Sequence, residues 1–218
     1  MIGCGEVDDI LLFFCLFSVV TYTKSKINAL LGVIWPKYIM MKKLSMEELG
    51  RISVEEFKAA DKLPLVVVLD NIRSLNNIGS VFRTADAFRV CKIMLCGITA
   101  TPPHRDIHKT ALGAENSVCW EYYEKVEDCI HALQCEGYKI YSVEQADESV
   151  SLTDFVVEDD EKVAVIVGNE VDGVSDEAIA LSDACIEIPQ YGTKHSLNVS
   201  IATGIVIWDI FTKMKNRL

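Results

Sequence analysis

The chain has 218 residues, enough for one α/β domain with an ordinary core and some additional sequence at the N-terminus. Half of the residues are apolar, which argues against a disordered protein. The net charge of −11 argues against a broad nucleic-acid surface, but residues 121–187 hold 19 Asp/Glu and 3 Lys/Arg, whereas the remaining residues hold 13 Asp/Glu and 18 Lys/Arg.

The N-terminal residues contain one apolar run, from Ile10 to Tyr22. It is shorter than the roughly 20 residues of a membrane-spanning helix, no Lys or Arg precedes it, and no small-x-small cleavage site follows. By contrast, the segment that begins Met41-Lys42-Lys43 is typical of the start of a cytosolic protein. We therefore expect residues 1–40 (or 1–39) to be an extension from an upstream start codon, and we expect no membrane association.

The rest of the chain alternates between strand-like and helix-like patterns. Residues 41–62 are predicted to form a polar helical arm, in which Ser53 caps a helix over Val54–Ala60. Residues 63–218 form the predicted main domain, with strands over 65–69, 92–96, 117–122, 138–143, 163–167 and 185–188 and helices over 78–88, 126–136, 176–182 and 197–213. This order predicts an α/β fold with a parallel sheet and helices on both faces.

The eight cysteines show no C-x-x-C pair and no metal-ligand spacing with histidine. Several of them lie inside apolar strand or helix patterns. We therefore interpret them as reduced core residues of a cytoplasmic protein. They stand at positions 4, 15, 91, 96, 119, 129, 135 and 185.

Three polar segments each follow a predicted strand. The first, Asp70–Gly79, contains a single glycine, so the dinucleotide-binding pattern G-x-G-x-x-G is absent. Asn77 is predicted to cap the helix that follows, and Arg83 projects from the buried stripe of that helix.

The second segment is Gly168-Asn169-Glu170, and the third runs from Gly192 to Asn198 before the long final helix. The third segment offers free backbone groups beside hydroxyl and amide side chains, which suits a polar small molecule. An ordinary strand-to-helix connection with Ser as N-cap explains the same pattern.

Together, in this order and spacing, the stretches around these segments resemble the three signature motifs of the SpoU (TrmH-type) RNA 2′-O-ribose methyltransferases of the SPOUT superfamily. The three stretches are Asn71–Phe88, Val163–Ser175 and Ile186–Ser200. The resemblance covers nearly all of the chain from Leu63 to Leu218. It implies S-adenosylmethionine as cofactor and the ribose 2′-hydroxyl of a tRNA or rRNA as methyl acceptor. It also implies a C-terminal deep trefoil knot that forms the cofactor pocket, and a homodimer packed through the knot regions.

The resemblance also implies roles for individual residues. The invariant arginine of the family falls on Arg83; because a guanidinium does not readily lose a proton, we expect it to clamp phosphate and the developing alkoxide instead of acting as a base. Glu170 matches the glutamate that orients the arginine and the knot loop, Asn77 is a hydrogen-bond partner near the active site, and Ser196 and Asn198 line the substrate side. Backbone groups that hold the cofactor are expected near Val143, Glu144, Gly168, Ile188 and Leu197.

Other interpretations stay open at this point. The chain could be a non-catalytic RNA-binding module with a degenerate site, or a hydrolase that uses Ser196 with His195, although no G-x-S-x-G pattern is present. The segment Thr99–Lys109 is predicted to be a surface loop, or an RNA contact beside the pocket. His104 and His108 in that segment lack a third ligand, so we expect no metal.

The basic residues are predicted to form a local face that holds a few phosphates; scattered solvated charges are the alternative explanation. They lie in or near the first and third motifs: Arg73, Arg83, Arg89, Lys92, Arg105, Lys109, Lys194 and His195.

The final helix carries apolar residues on more than one side, which independently favours a dimer because one sheet cannot cover them all. These residues are Val199, Ile201, Ala202, Ile205, Val206, Ile207, Trp208, Ile210 and Phe211.

Overall fold

The structure is a computed structural model that describes residues 42–45 and 47–218. It separates into two units, residues 1–51 and residues 52–218. In the described part of the first unit, Ser45 and Glu48 exchange hydrogen bonds, and the amine of Lys42 lies 3.3 Å from the Glu48 carboxylate. The expected extension, the apolar run, Cys4 and Cys15 lie outside the described residues.

The second unit is built on a seven-stranded sheet in which every neighbouring pair of strands is parallel. The strand order is β3-β2-β1-β6-β4-β7-β5. The strands are β1 (Leu63–Asp70), β2 (Val90–Cys96), β3 (Cys119–Tyr123), β4 (Tyr138–Val143), β5 (Val150–Ser151), β6 (Lys162–Val167) and β7 (Ala184–Glu187). Because the strands are parallel, their carboxyl ends share one edge of the sheet.

Helices cover both faces of this sheet, as the alternating pattern predicts. The helices are α1 (Val54–Ala59), α2 (Leu75–Ala87), α3 (Arg105–Ala111), α4 (Val126–Cys135), α5 (Asp176–Leu181) and α6 (Val199–Met214). One buried cluster joins the sheet to α1, α2, α3 and α6, and a second joins the opposite face to α4 and α5.

Strand β1, in the interior of the sheet, shows how the sequence specifies this arrangement. Its residues are apolar from Leu63 to Leu69 except for Pro64, and nearly all are buried, as expected for a strand covered on both faces. Successive side chains of β1 point to opposite faces of the sheet. Leu65 and Val67 belong to the buried cluster beneath α2 and α6, whereas Val66 and Val68 belong to the cluster beneath α4.

The structure corrects the predicted start of helix α2. The helix begins at Leu75, and its N-cap is Ser74, whose hydroxyl accepts a hydrogen bond from the Asn77 backbone N–H. The prediction that Asn77 is the cap is therefore wrong, because an equally suitable serine lies one turn earlier. This releases the Asn77 side chain for other contacts.

Other boundaries also differ from the sequence prediction. The segment expected to be a loop up to Lys109 contains the start of α3, which is capped by the His104 imidazole. Helix α6 begins at Val199 with Asn198 as its N-cap, so the alternative of a serine cap is wrong. The described cysteines are free, but Cys119 and Cys135 are exposed and are not core residues. None of the helices within the described residues is long and apolar enough to cross a membrane.

Candidate active site

A cavity of about 480 Å³ opens at the carboxyl ends of β4, β6 and β7. This is the edge at which open α/β sheets bind ligands, and the volume falls within the roughly 300–1,000 Å³ of small-molecule sites. All five residues predicted to hold the cofactor line it: Val143, Glu144, Gly168, Ile188 and Leu197. Three of the five predicted catalytic residues line it too: Glu170, Ser196 and Asn198.

The loop after β6 forms one wall of the cavity as a tight hairpin. Asn169 and Gly173 exchange backbone hydrogen bonds of 2.8 and 3.0 Å. A Cβ atom on Gly168 would collide with the Gly173 backbone, and Gly173 has a φ of +75°, which side-chain-bearing residues rarely adopt. Both glycines are therefore needed for the hairpin to close beside the end of the strand.

Glu170, in this hairpin, binds the amino end of helix α2. Its carboxylate accepts hydrogen bonds from the Arg73 and Ser74 backbone N–H groups at 3.0 and 3.1 Å and from the Asn77 side-chain amide at 3.0 Å. Helix amino ends carry unsatisfied N–H groups and partial positive charge, so a carboxylate is favoured there. Glu170 makes no hydrogen bond to Arg83 within the part of the chain that the structure describes.

Asn77 connects the first motif to the third. It donates to Glu170, and its side-chain oxygen accepts a hydrogen bond of 3.2 Å from the Asn198 side-chain amide. Asn198 also caps α6 by accepting from the Ser200 backbone N–H. The three motifs are thus joined by one chain of hydrogen bonds, Glu170–Asn77–Asn198, at the rim of the cavity.

Three further polar side chains, which the sequence did not single out, tie the same loops together. Asp70 is buried and accepts from the Ser175 backbone N–H, and the Asn169 amide donates to the Asn71 carbonyl. Gln145 donates to the His195 carbonyl, which joins the end of β4 to the third motif. Their position directly after predicted strands was the available signal, because polar side chains at shared strand ends converge.

The environment of Glu170 changes its acidity. Partial burial raises its pKa, but the hydrogen bonds from Arg73, Asn77 and Ser74 outweigh this and hold the pKa below the usual value of 4.5. A carboxyl group with a lowered folded-state pKa contributes stability above its unfolded pKa, and this contribution is lost as the pH falls through the folded pKa.

We therefore expect Glu170→Gln to lower the melting temperature near neutral pH, and to lower it less as the pH falls through the lowered folded-state pKa of Glu170, where the wild-type carboxyl becomes protonated as well. Thermal unfolding of both proteins at a series of pH values measures this difference. Glu177→Gln, at an exposed glutamate outside the cavity, is the matched control. A difference that stays constant from neutral to acid pH contradicts the expectation.

Arg83 lies on the same helix as Asn77 but is not among the residues that line the cavity. Its side chain is exposed and makes no hydrogen bond or ion pair with any described residue. Helices α2 and α6 run side by side in the same direction, because Asn77 meets Asn198 and Phe88 meets Trp208 with ring centroids 5.6 Å apart. Arg83 therefore faces solvent. The helix that carries it, α2, contacts α6 near both of its ends.

The hydrolase interpretation finds no support in the geometry. Ser196 and His195 are both exposed, and no hydrogen bond joins their side chains in the described region, so a hydrolytic pair is not formed. The two histidines of the Thr99–Lys109 segment have separate roles. His104 caps α3, and the His108 imidazole lies 2.5 Å from the Glu115 carboxylate.

The chain is similar to known RNA methyltransferases. Residues 64–208 match the model of the SpoU rRNA Methylase family. The tRNA (guanosine(18)-2′-O)-methyltransferase of Aquifex aeolicus is 31% identical over 66% of this chain and 67% of its own.

Two solved structures are also similar. The A. aeolicus TrmH/SpoU tRNA modifying enzyme superposes with a TM-score of 0.66 at 27% identity, covering 75% of this chain and 81% of that one. The AdoMet-bound rRNA methyltransferase of Sinorhizobium meliloti gives a TM-score of 0.64 at 28% identity, covering 72% of this chain and 59% of that one.

Proposed function

The chain belongs to the SpoU rRNA methylase family, and we infer from this membership and from its cavity that it is an S-adenosylmethionine-dependent RNA methyltransferase. The acceptor is a ribose 2′-hydroxyl of a tRNA or rRNA. The observation that carries this inference is that the second and third motifs line one cavity, and that the Glu170–Asn77–Asn198 chain of hydrogen bonds joins the first motif to them.

The cavity suits the cofactor in size and chemistry. Its walls combine apolar side chains, such as Ile188 and Leu197, with backbone groups at the ends of three strands. S-adenosylmethionine supplies an activated methyl group. We propose that backbone groups near Val143, Gly168 and Ile188 hold it, and that Glu144 and Leu197 complete the wall.

Methyl transfer requires the 2′-hydroxyl to lie in line with the methyl group, with its developing negative charge offset. Arg83 is suited to this role because its guanidinium is exposed and unpaired within the described residues. A guanidinium does not readily lose its proton and so cannot act as the base; the proton of the hydroxyl leaves to phosphate or water while Arg83 stabilises the alkoxide. Asn77 and Asn198, fixed by their mutual hydrogen bond, position the ribose, and Ser196 contributes its hydroxyl at the rim.

Leu197→Trp tests the cofactor site because the larger side chain fills part of the cavity. Leu197 is partly exposed, so the fold is expected to tolerate the change. We expect affinity for S-adenosylmethionine to fall more than about tenfold, as expected when a ligand pocket is overfilled. Titration calorimetry measures this, with Val156→Trp, on an exposed residue outside the cavity, as control. Unchanged affinity in Leu197→Trp assigns the cofactor to another site.

The RNA substrate is proposed from the relatives' names and from the basic residues beside the first motif. Methyl transfer from labelled cofactor into purified tRNA and rRNA, followed by mass spectrometry of the nucleosides, identifies the acceptor. A 2′-O-methylated nucleoside is the expected product. The alternative, a non-catalytic RNA-binding module of the same fold, predicts RNA binding with no methylated product in either pool.

We propose that the C-terminal part of the chain forms the deep trefoil knot of this family. The support is that the loops after β6 and β7 line one cavity and that structures of the family superpose on this chain. An experimental structure traced through both loops to Leu218 tests the proposal. We also propose that the enzyme acts in the cytoplasm, where the described cysteines remain reduced.

A homodimer is proposed from the surface of α6. Ile201, Ile205 and Trp208 recur at helical spacing on this surface, and Ile201 and Trp208 are 56% and 54% exposed. A second cavity of about 610 Å³, lined by Pro189, Ile205 and Trp208 among others, lies beside this stripe. An apolar stripe of this kind next to a groove marks an interaction surface, and a second copy of the chain is the occupant that the family implies.

A further inference from the structure

The cofactor cavity is lined by negative charge. Four carboxylates line it. Among its described lining residues there is no Lys or Arg, and one histidine, His195. The carboxylates belong to Glu144, Glu170, Asp172 and Glu187. A cavity of this composition attracts cations and offers nothing to balance an anion.

These four carboxylates differ in how far the protein compensates their charge. Glu170 accepts three hydrogen bonds at the amino end of α2. Glu144 accepts from the Gln145 and Val174 backbone N–H groups at 2.9 and 3.1 Å. Asp172 is exposed to solvent. Glu187 is partly buried, and its carboxylate makes no hydrogen bond or ion pair with any residue in the described ranges.

Glu187 and Glu144 are also neighbours across the sheet. Strands β4 and β7 are parallel with Val143 opposite Ile186, and the Glu144 backbone N–H continues the ladder to the Ile186 carbonyl. The residue that follows each of these two is a glutamate, so the register places Glu144, just past the end of β4, beside Glu187 on one face. Like charges in this arrangement repel, and a cation placed against them relieves the repulsion.

We propose that Glu187, with Glu144 beside it, makes the cavity select the cationic cofactor over its neutral product. S-adenosylmethionine carries a sulfonium. When the methyl carbon bonds to the ribose oxygen, the electron pair of the broken S–C bond stays on sulfur, which becomes a neutral thioether, and the hydroxyl proton leaves to solvent. The attraction of Glu187 for the sulfonium charge is thus present before transfer and absent after it, whereas the ammonium group is common to both molecules. The loss of this attraction favours release of S-adenosylhomocysteine.

This inference rests on the proposal that the cavity holds the cofactor. The two molecules have nearly the same shape, so discrimination between them reports charge. The quantity to measure is therefore the ratio of the affinity for S-adenosylmethionine to the affinity for S-adenosylhomocysteine. A packing defect weakens both ligands alike and leaves this ratio unchanged. Removal of one uncompensated carboxylate close to the ligand, in surroundings near those of water, is expected to lower that ratio about fivefold.

The test is titration calorimetry of the full chain with S-adenosylmethionine and, separately, with S-adenosylhomocysteine. We expect the wild type to bind S-adenosylmethionine more tightly. Glu187→Gln should weaken this binding about fivefold and leave S-adenosylhomocysteine binding essentially unchanged. Glu144→Gln should shift the ratio in the same direction, and Glu177→Gln, outside the cavity, should leave both affinities as they are.

A loss in Glu187→Gln that is equal for the two ligands, or no change with either ligand, overturns the proposal. Leu197→Trp separates this failure from failure of the cavity assignment. If Leu197→Trp weakens both ligands while Glu187→Gln changes no ratio, the charge selection is wrong and the cavity assignment stands. If Leu197→Trp changes neither affinity, the cavity assignment is wrong and the charge selection fails with it.

Discussion

Arg83→Ala is expected to reduce the rate of methyl transfer about a thousandfold, the loss found when a donor that stabilises a developing oxyanion is removed. The affinity for S-adenosylmethionine should change little, because Arg83 does not line the cavity. The fold should be unaffected, since the side chain is exposed and makes no hydrogen bond within the described region. Single-turnover methyl transfer to RNA, together with titration calorimetry of the cofactor, measures both quantities.

Two further variants identify what Arg83 contributes. Arg83→Lys keeps the charge but loses the planar pair of donors, so we expect poor rescue. Arg105→Ala removes the same charge from another exposed residue, on α3, and is expected to weaken RNA binding with little effect on the single-turnover rate at saturating RNA. High activity in Arg83→Lys, or equal losses in Arg83→Ala and Arg105→Ala, refutes a specific clamp on the alkoxide.

Ile201→Glu is expected to convert the protein to a monomer and to reduce methyl transfer at least about a hundredfold, since small displacements of reacting groups have effects of that size. The substitution places a charge on the exposed apolar stripe of α6, where a second copy is proposed to pack. Burying that charge in an interface without a partner is strongly unfavourable. Light scattering at micromolar concentration gives the mass, and activity is measured on the same sample.

Leu112→Glu is the matched control, because it introduces the same charge at a residue of similar exposure, 63% against 56%, after helix α3. It is expected to remain a dimer. The monomeric variant should remain folded, since Ile201 does not belong to the buried core, although it lacks the stabilisation that association with a second copy adds. A wild-type protein that is monomeric and fully active contradicts the proposal of a catalytic dimer.

The parts of the fold that the sequence predicted are those with strong apolar periodicity. Strand β1 and the later strands except β5 were recognised because their runs are largely apolar and bounded by polar turns, although β2 begins at Val90, two residues before its predicted start. The cofactor residues were carried over from the motifs. Their convergence on one cavity depends on parallel pairing of β4, β6 and β7, which the alternation of elements indicates.

The sequence did not predict those features for which two local structures were similarly favourable or the pattern was short. Ser74 and Asn77 are both good N-caps, and only the contact of Asn77 with Glu170, 93 positions away, decides between them. Helix α3 is short and follows two prolines, so its pattern is weak. Strand β5 has only two residues, Val150 and Ser151, and is defined by pairing with β7.

The Glu170 side chain belongs both to the cavity wall and to the start of helix α2, so a single substitution of Glu170 cannot separate its two contributions. One side chain closes the wall of the cavity and also satisfies three donors at the start of the helix that carries Arg83. Removing it leaves those donors unpaired, so any loss of activity combines damage at both places. Its separate contributions are accessible only through double-mutant cycles, pairing Glu170 with Asn77 for the helix and with Leu197 for the cavity.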